Sequence, residues 1–460
     1  MRESPGDTIA AISTAAGSGA IAIVRISGER ALDVADAIFE GVSLTDSPSH
    51  RVHYGRIVDA DGHIIDEVMA AVLRAPKTYT TEDMVEFGCH GGAVPAREVL
   101  AAATAAGARP ARRGEFTERA FLGGRIDLVQ AEAVADIVAA RTRKGLEVAL
   151  GQLGGGLSEE LGELRETLLT FRAEVESLVD LVDEDVEPPT LREIASLGRR
   201  SIAQIDAMLE RCRLGAAVRE GVSVAIVGRP NVGKSSTMNA LLARDRVIVT
   251  PRPGTTRDAI EDIVEVDGVA LRLVDTAGWR DASDEAERAG VDRAREAAVG
   301  ADLVLLVIDA SEGVLPEDEA IVAALDRDEI IVAGNKSDLG WALDASENGT
   351  AGPSGTPGGV TRLSALTGEG VDDLRARLVR SAVACDPSEG VAVTNVRHVE
   401  SLSRCRSAVG RAVSGIEDGG EPELVAIDIA EAAEALGTVT GETTPEDVLE
   451  RIFARFCIGK

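Results

Sequence analysis

The sequence predicts a multidomain protein: an α+β N-terminal domain, a discontinuous α-helical domain, and an α/β domain inserted between the two halves of the helical domain. Residues 219–380 alternate apolar runs with helical segments, which is typical of a parallel sheet with helices on both faces. Segments with helical periodicity lie on both sides of this stretch. We therefore expect domains at 1–123, 124–217, 218–380 and 381–460 of this 460-residue chain.

The composition limits the partners and the compartment. With a formal net charge of -30, the chain lacks the overall positive field that drives nucleic-acid binding. A local arginine patch or a basic partner would therefore have to hold RNA phosphates. No apolar run reaches the roughly 18 residues of a membrane span, and no basic-then-apolar leader opens the chain, so we expect a soluble, cytoplasmic protein. The five cysteines lack C-x-x-C spacing, which argues against a disulfide framework or a zinc site.

Short strands and a hairpin are predicted in the N-terminal domain. Residues 9–12 and 21–26 are predicted strands, and residues 30–39 a helix. The pair Asp61-Gly62 stands between the apolar runs 54–58 and 64–73. This arrangement indicates a hairpin, because glycine accepts the positive φ of a tight turn.

The rest of the chain is predicted as helices around a parallel sheet. Helical periodicity runs through 129–140 and 161–182, and the acidic residues 183–187 followed by two prolines interrupt it. The segment 347–359, rich in Gly, Ser and Pro, is predicted as a flexible surface loop. Buried strands are expected at 222–227, 270–274, 303–308 and 330–333.

A phosphate-binding loop follows the first of these buried strands. Residues 228–235, Gly-Arg-Pro-Asn-Val-Gly-Lys-Ser, fit the pattern G-x-x-x-x-G-K-[ST]. Such a loop points backbone N–H groups at phosphate oxygens, and the start of the next helix adds positive potential. We expect Lys234 to reach the outer phosphates and the Ser235 hydroxyl to hold Mg²⁺.

Four further elements follow in the order that a GTPase requires. Thr256, in the pair Thr255-Thr256, is predicted as a second Mg²⁺ ligand. Asp275-Thr-Ala-Gly278 ends a strand, so Asp275 can bind a metal-bound water and Gly278 can sense the γ-phosphate. Asn335-Lys-Ser-Asp338 also ends a strand, and the Asp338 carboxylate can accept the N1–H and 2-amino hydrogens of guanine. Ser364-Ala365 can support the base from its other side.

The hydrolytic machinery differs from that of Ras-like enzymes, which carry glutamine directly after the D-x-x-G glycine. Here that position is Trp279, which cannot polarise water, and neither Arg257 nor Arg280 is placed by the sequence as an arginine finger. Asn231 offers a carbonyl oxygen to a monovalent cation that would replace the finger's charge. Glu287 is the candidate for orienting the attacking water.

Several motifs together resemble one family, the bacterial tRNA-modification GTPases called MnmE or TrmE, among the TrmE-Era-EngA-like GTPases. The resemblance extends from end to end. It rests on the phosphate loop, Pro-Gly-Thr-Thr-Arg-Asp at 253–258, Asp-Thr-Ala-Gly at 275–278, Gly-Glu-Phe-Thr-Glu-Arg-Ala-Phe at 114–121 and Phe-Cys-Ile-Gly-Lys at 456–460. It implies that the inserted domain is a Ras-like P-loop GTPase domain and that the N-terminal domain binds formyl-tetrahydrofolate and forms a homodimer.

The resemblance also implies the chemistry and the partner. The family adds a carboxymethylaminomethyl-type group at C5 of the tRNA wobble uridine with a flavoprotein, MnmG (GidA), which carries FAD in a heterotetramer. K⁺ draws two GTPase domains together and activates hydrolysis.

The resemblance implies a set of site residues. K⁺ would be held by Asn231, Thr250, Thr255 and the backbone of Arg252, while Glu287, Lys234 and Asp275 would be catalytic. The folate pocket would use Arg25, Glu86, Arg125 and Lys460, and Cys457 belongs to the C-terminal motif. The residues expected to contact GTP are Asn231, Val232, Gly233, Lys234, Ser235, Ser236, Thr250, Thr255, Thr256, Asp275, Thr276, Ala277, Gly278, Asn335, Lys336, Asp338, Ser364 and Ala365.

Two other functions stay open at this point. A ribosome-assembly GTPase, acting as an RNA-binding switch, would carry a basic RNA-binding domain after the GTPase unit. Here residues 386–460 are predicted to be helical and acidic, without a G-x-x-G clamp loop. A scaffold with a degenerate GTPase is disfavoured because Lys234, Ser235, Thr256, Asp275 and Asp338 are all present.

Overall fold

The computed structural model describes residues 7–180, 190–243, 262–275, 298, 300–325, 327, 329–343, 345–346, 349–350, 352–353, 356, 359–382 and 395–460. The helices span Ala31–Ile38, Ala93–Ala105, Glu115–Leu122, Leu128–Ala139, Arg143–Leu153, Gly156–Asp180, Leu191–Glu220, Lys234–Leu242, Pro316–Leu325, Val371–Ala382, Val396–Glu417, Pro422–Thr440 and Glu446–Phe453. The strands are β1 Ile9–Ile12, β2 Ile21–Ser27, β3 Phe39–Glu40, β4 Arg51–Val58, β5 Ile64–Leu73, β6 Met84–His90, β7 Arg109–Pro110, β8 Val222–Val227, β9 Asp262–Val266, β10 Val269–Asp275, β11 Leu303–Asp309, β12 Ile331–Asn335, β13 Ala345–Ser346, β14 Gly349–Thr350 and β15 Val360–Arg362.

The chain forms two compact units. The first unit comprises Met1–Ala135, Gln152–Arg165 and Ala433–Lys460. The second unit comprises Asp136–Gly151 and Glu166–Ala432. Both termini of the chain therefore belong to one unit.

The first unit is built on a seven-stranded sheet in the order β3-β4-β5-β6-β2-β1-β7. Its neighbouring strands are antiparallel except for the short parallel pair β1 and β7. The predicted hairpin at Asp61-Gly62 is confirmed: β4 and β5 pair on either side of it, and Gly62 has a φ of +82°. The helices Ala31–Ile38 and Ala93–Ala105 bury their apolar side chains against this sheet.

The second unit contains a six-stranded sheet in the order β15-β12-β11-β8-β10-β9. Only β9 is antiparallel to its neighbour, so the predicted parallel sheet is confirmed. Along β8, Val224 and Ile226 face one apolar core while Ala225 and Val227 face another. Such a strand is apolar throughout because both faces are covered.

One predicted strand is shifted along the chain, and one predicted loop contains strands. Strand β12 begins at Ile331, although Ile330 is also buried, and it runs on to Asn335. The backbone pair β13–β14 places Gly349–Thr350 in a small two-stranded sheet inside the stretch predicted as a flexible surface loop. Backbone hydrogen bonds form this pair, and the amino-acid composition of the segment does not predict them.

The long helices of the second unit pack closely where glycine permits it. A Cβ atom at Gly198, in helix Leu191–Glu220, would lie 2.3 Å from Val413 and 3.1 Å from the Phe171 ring. The absence of a side chain at Gly198 thus allows helices Gly156–Asp180, Leu191–Glu220 and Val396–Glu417 to approach one another. Two ion pairs, Arg199 with Glu417 and Arg406 with Asp206, join helices Leu191–Glu220 and Val396–Glu417 along this contact.

The segment 114–121 holds the first unit together through a buried carboxylate. Glu115, which is 2% exposed, accepts hydrogen bonds from the Arg109 guanidinium at 2.6 and 3.0 Å and from the Arg112 backbone N–H at 2.7 Å. Arg119 also pairs with Glu115, at 3.2 Å, and with Glu82, at 3.0 Å. Burial alone would raise the pKa of Glu115, but the hydrogen bonds from Arg109 and Arg112 lower it to about 2.

The buried Glu115 cluster generates a stability prediction. Glu115→Gln should reduce the free energy of unfolding by about 3 kcal/mol at pH 7, because it leaves Arg109 and Arg119 buried with less negative charge. The Glu115 pKa is depressed in the fold, so its stabilisation is present above the ordinary value of 4.5 and is lost as the pH falls towards 2. Urea unfolding should therefore show that the difference in unfolding free energy between the unsubstituted chain and the Glu115→Gln variant shrinks as the pH falls from 4.5 towards 2.

A matched control is Glu98→Gln, which removes an exposed ion pair with Arg97 and should cost less than about 1 kcal/mol. Equal losses from both substitutions, or a Glu115 effect that does not change with pH, would contradict the role assigned to Glu115.

Candidate functional site

The phosphate loop takes a conformation that requires glycine at two positions. Gly228 has a φ of +147°, and a Cβ atom there would lie 2.3 Å from the Val307 carbonyl oxygen. Gly233 has a φ of +95°, and its Cβ would lie 2.2 Å from the Asn335 side-chain nitrogen. Asn231, at the exposed apex of the loop, has a φ of +65°. Only asparagine, aspartate and glycine adopt this left-handed region readily.

Lys234 lies inside the turn of this loop. Its Nζ donates hydrogen bonds to the carbonyl oxygens of Gly228, at 2.9 Å, and Arg229, at 2.8 Å. The helix Lys234–Leu242 begins at this residue, with Ser235 and Ser236 exposed in its first turn. An ammonium group and the N–H groups of a helix N-terminus together favour an anion such as a phosphate.

The buried side chain of Asn335 ties the phosphate loop to the loops that follow β12 and β15. Its Nδ2 donates to the Val232 carbonyl oxygen at 2.9 Å, and its Oδ1 accepts from the Ala365 backbone N–H at 2.9 Å. Asn335 is 3% exposed, so these bonds are shielded from water. The phosphate loop, the 335–338 loop and the 364–365 loop are thereby held at one edge of the sheet.

The neighbouring polar side chains are ordered in the same way. Lys336, with a φ of +62°, forms an ion pair with Asp309 at 2.6 Å. Burial alone would raise the pKa of Asp309, but Lys336 and Ser311 hold it below its usual value. Asp338 is exposed and accepts a hydrogen bond from the Ser364 hydroxyl at 2.6 Å. The Ser364 contact orients a carboxylate that is accessible to a nucleotide base.

The described part of the structure contains only some of the predicted nucleotide-site residues. Asp275 is the last residue of β10, where its backbone pairs with Ile226 of β8, so it lies at the same sheet edge as the phosphate loop. The remaining residues lie outside the described part of the chain, and their roles stay predictions: Thr250, Arg252, Thr255, Thr256, Thr276, Ala277, Gly278 and Glu287.

In the first unit, two of the predicted folate residues, Arg25 and Arg125, lie against Tyr79. The Arg25 guanidinium lies 5.5 Å from the Tyr79 ring and 5.4 Å from the Phe116 ring, and its Nε donates to Glu86 at 2.8 Å. The Arg125 guanidinium lies 4.9 Å from the same tyrosine ring and donates to the Tyr79 carbonyl oxygen at 3.0 Å. Two cations, two aromatic rings and one carboxylate therefore form what we call the Tyr79 cluster.

The C-terminal residues reach the Tyr79 cluster. Arg25 donates to the Gly459 carbonyl oxygen at 3.2 Å, and Ile458 forms a β-bridge with Arg113. Gly459 has a φ of +90°, and its Cβ would lie 2.5 Å from the Ile12 carbonyl oxygen. Burial lowers the pKa of Lys460, and the charge of Arg25 lowers it further. Cys457 is exposed.

Sequence reasoning missed three residues at these sites. Tyr79 and Phe116 supply the aromatic rings, and Asp309 pairs with the lysine of the 335–338 motif. Tyr79 is one of two tyrosines in a chain with 2% aromatic residues, a scarcity that could have drawn attention to it. Phe116 lies in the motif at 114–121, which could have pointed to it, whereas no comparable signal marks Asp309.

Comparison with known proteins covers almost the whole chain. A family model described as the GTP-binding protein TrmE N-terminus matches residues 8–125, and one described as the MnmE helical domain matches residues 128–457. Proteins called "tRNA modification GTPase MnmE" from Heliobacterium modesticaldum and Geobacillus thermodenitrificans are 45% and 46% identical to it. The matches cover 99% of this chain in both cases, and 100% and 99% of the relatives.

Among solved structures, the G domain of the T. maritima FeoB iron transporter is 28% identical over 35% of this chain and 98% of its own. Its TM-score is 0.25, which is too low to bear on the fold.

The exposed Asp338 carboxylate generates a prediction about base selection. Asp338→Asn should weaken GDP binding about a hundredfold, because two hydrogen bonds from guanine to a charged acceptor are lost. Binding of xanthosine diphosphate should improve, since its 2-oxo group can accept from the new amide. Fluorescence titration with both nucleotides measures the switch.

Asp373→Asn is the matched control, because Asp373 is an exposed carboxylate on helix Val371–Ala382. It should leave both affinities unchanged. Unaltered GDP affinity in the Asp338 variant would show that this carboxylate does not read the base.

Proposed function

This chain belongs to the MnmE (TrmE) family of tRNA modification GTPases, and we propose that it is a K⁺-activated GTP hydrolase that acts in tRNA modification. In this proposal a homodimer works with a flavoprotein partner, MnmG (GidA), which carries FAD. Together they add a carboxymethylaminomethyl-type group at C5 of the wobble uridine.

The contact that best supports a guanine nucleotide as substrate is the Asn335 side chain. It connects Val232 of the phosphate loop with Ala365, while Asp338, in the same loop as Asn335, presents an accessible carboxylate. A ligand that satisfies both ends must carry phosphates and a base with two adjacent donor groups, a ring N–H beside an amino group. Guanine has both donors and adenine does not, so GTP fits and ATP does not.

The residues of the phosphate loop have separate tasks in hydrolysis. Lys234 neutralises negative charge on the outer phosphates, and the helix N-terminus behind it holds them in place. The Ser235 hydroxyl, exposed in the first helical turn, suits Mg²⁺ together with Thr256. Glu287 would orient the attacking water.

Asn231 fits a monovalent cation because an amide oxygen at an exposed loop apex is a ligand that K⁺ accepts. Thr250, Thr255 and the backbone of Arg252 would complete the set. A cation there supplies positive charge next to the phosphates, in place of the charge of an arginine finger.

The Tyr79 cluster fits a reduced folate. Its two cations, Arg25 and Arg125, together with Lys460 of the C-terminal motif, suit the carboxylates of the glutamate tail, while the rings of Tyr79 and Phe116 suit the flat pterin. Glu86 can accept hydrogen bonds from pterin N–H groups. We therefore propose formyl-tetrahydrofolate as the ligand and one-carbon donor, with the C-terminal motif closing the pocket.

The acidity of the chain bears on how the chain and its flavoprotein partner share the binding of tRNA. A net charge of -30 disfavours extensive contacts with tRNA phosphates. The flavoprotein would supply most of those contacts.

Of the described helices, none is both long and apolar enough to span a membrane. We propose a cytoplasmic location.

The alternative of a ribosome-assembly GTPase has no observation in its favour. It would require a basic RNA-binding domain after the GTPase domain. The described C-terminal residues instead form the helices Val396–Glu417, Pro422–Thr440 and Glu446–Phe453, within the match to the MnmE helical domain.

K⁺ activation is tested by comparing cations at equal ionic strength. GTP turnover should be at least about tenfold faster in K⁺ than in Na⁺, because a fitted cation stabilises charge in the transition state. Asn231→Ala should lose this acceleration and keep the rate seen in Na⁺. Asn239→Ala, an exposed asparagine on the following helix, should keep it. Equal turnover in K⁺ and Na⁺ would refute the activation.

Folate binding is tested at the edge of the Tyr79 cluster. Lys460→Gln and Arg125→Gln should each weaken formyl-tetrahydrofolate binding at least about tenfold, because each removes a charge-assisted hydrogen bond. Isothermal titration measures the affinity, and GTP turnover should not change. Arg51→Gln, at an exposed arginine of β4, is the control. Unchanged folate affinity in both the Lys460→Gln and the Arg125→Gln variants would exclude this pocket.

A further inference from the structure

The side chain of Arg229 leaves the phosphate loop and binds two acids outside it. Its Nε donates to Asp318 at 2.9 Å, and its NH2 group donates to Glu312 at 3.2 Å. Both acids belong to the segment between β11 and β12, more than 80 residues further along the chain. The Arg229 guanidinium is therefore occupied by two carboxylates of the protein.

Asp318 is an unusual partner because it is fully buried. Its side chain is 0% exposed, and its second oxygen accepts from the Leu315 backbone N–H at 3.1 Å. It lies in the first turn of helix Pro316–Leu325, where the helix dipole also stabilises a negative charge. Removing either partner of such a pair leaves an uncompensated buried charge. The Arg229 side chain is thus firmly held.

The Arg229 backbone lies beside the two functional side chains of the loop, those of Lys234 and Asn231. Its carbonyl oxygen accepts from Lys234 Nζ at 2.8 Å, and Asn231 follows two residues later with its left-handed φ of +65°. On the other side of Asn231, the Val232 carbonyl oxygen is held by Asn335 at 2.9 Å. The loop apex is therefore fixed on both sides, by Arg229 before Asn231 and by Val232 after it.

We propose that Arg229 and Asp318 form a positioning pair that sets the loop apex, so that the Asn231 side chain can bind a monovalent cation. This role rests on the proposed K⁺ activation. The side chains of both residues bind groups of the protein, namely Asp318 and Glu312 for Arg229, and Arg229 and the Leu315 N–H for Asp318. Their effect passes through the backbone of residues 229–231, whose placement the Arg229 side chain fixes.

A positioning role and a purely structural role make different predictions. Loss of structural support would lower thermal stability and weaken the binding of every ligand alike. Loss of positioning would change cation dependence and cation selectivity while the affinity for GDP alone stayed the same, because Asn335 and Lys234 remain in place.

The test measures binding of a fluorescent GDP with aluminium fluoride as K⁺, Rb⁺ and Na⁺ are titrated, which does not depend on turnover. The variants are Arg229→Gln and Asp318→Asn, the latter of which keeps the shape and one acceptor for the Leu315 N–H. The control is Arg327→Gln, whose guanidinium binds carbonyl oxygens of residues 298, 301 and 302, away from the loop. Thermal unfolding and GDP affinity without fluoride confirm that each variant is folded.

Both variants should need about tenfold more K⁺ for half-maximal binding and should discriminate less between K⁺ and Na⁺, because small displacements of an aligned group carry large penalties. The control should match the unsubstituted chain. If the unsubstituted chain depends on K⁺ and both folded variants show the same K⁺ midpoint and selectivity, the positioning role is wrong while K⁺ activation stands. If the unsubstituted chain itself shows no K⁺ dependence, the proposed activation fails and this role fails with it.

Discussion

The nucleotide site depends on one buried amide, the side chain of Asn335. Its nitrogen and its oxygen each make a hydrogen bond to the backbone of a different loop, so one residue sets the spacing between the phosphate loop and the base-supporting loop. Burial makes both bonds costly to break, since an unpaired polar group would remain inside the protein. Gly233 has no side chain, which leaves the Asn335 amide room to approach the phosphate loop.

In the first unit, a network of charged side chains holds separate segments of the chain together. Glu115 is a shared counterion of Arg109 and Arg119, beside Asp7 and Glu82, and this network fixes strand β7 and helix Glu115–Leu122. The same helix supplies Phe116 to the Tyr79 cluster, which Gly459 contacts from the far end of the chain. The motif 114–121 is thus mainly structural, and it contributes to the proposed folate pocket through a single aromatic ring.

Much of this organisation can be predicted from the sequence, because strands, turns and glycine-dependent loops are local. The hairpin at Asp61-Gly62 and the apolar strand β8 are examples. What the sequence does not reveal is which distant residues meet. The Asn335–Val232 bond spans 103 residues and the Arg25–Gly459 bond spans 434, so both depend on strand register and packing. The Arg229–Asp318 pair escaped prediction for the same reason, since Asp318 stands among acids that look like an ordinary solvated helix start.

The most direct test of the account is nucleoside analysis of tRNA from cells that lack this protein. The account predicts that the wobble-uridine modification is absent, that the unsubstituted chain restores it, and that Asn335→Ala does not, because the phosphate and base loops lose their common support. A normal modification profile in cells without the protein would contradict the account. So would full restoration by an Asn335→Ala chain that no longer hydrolyses GTP.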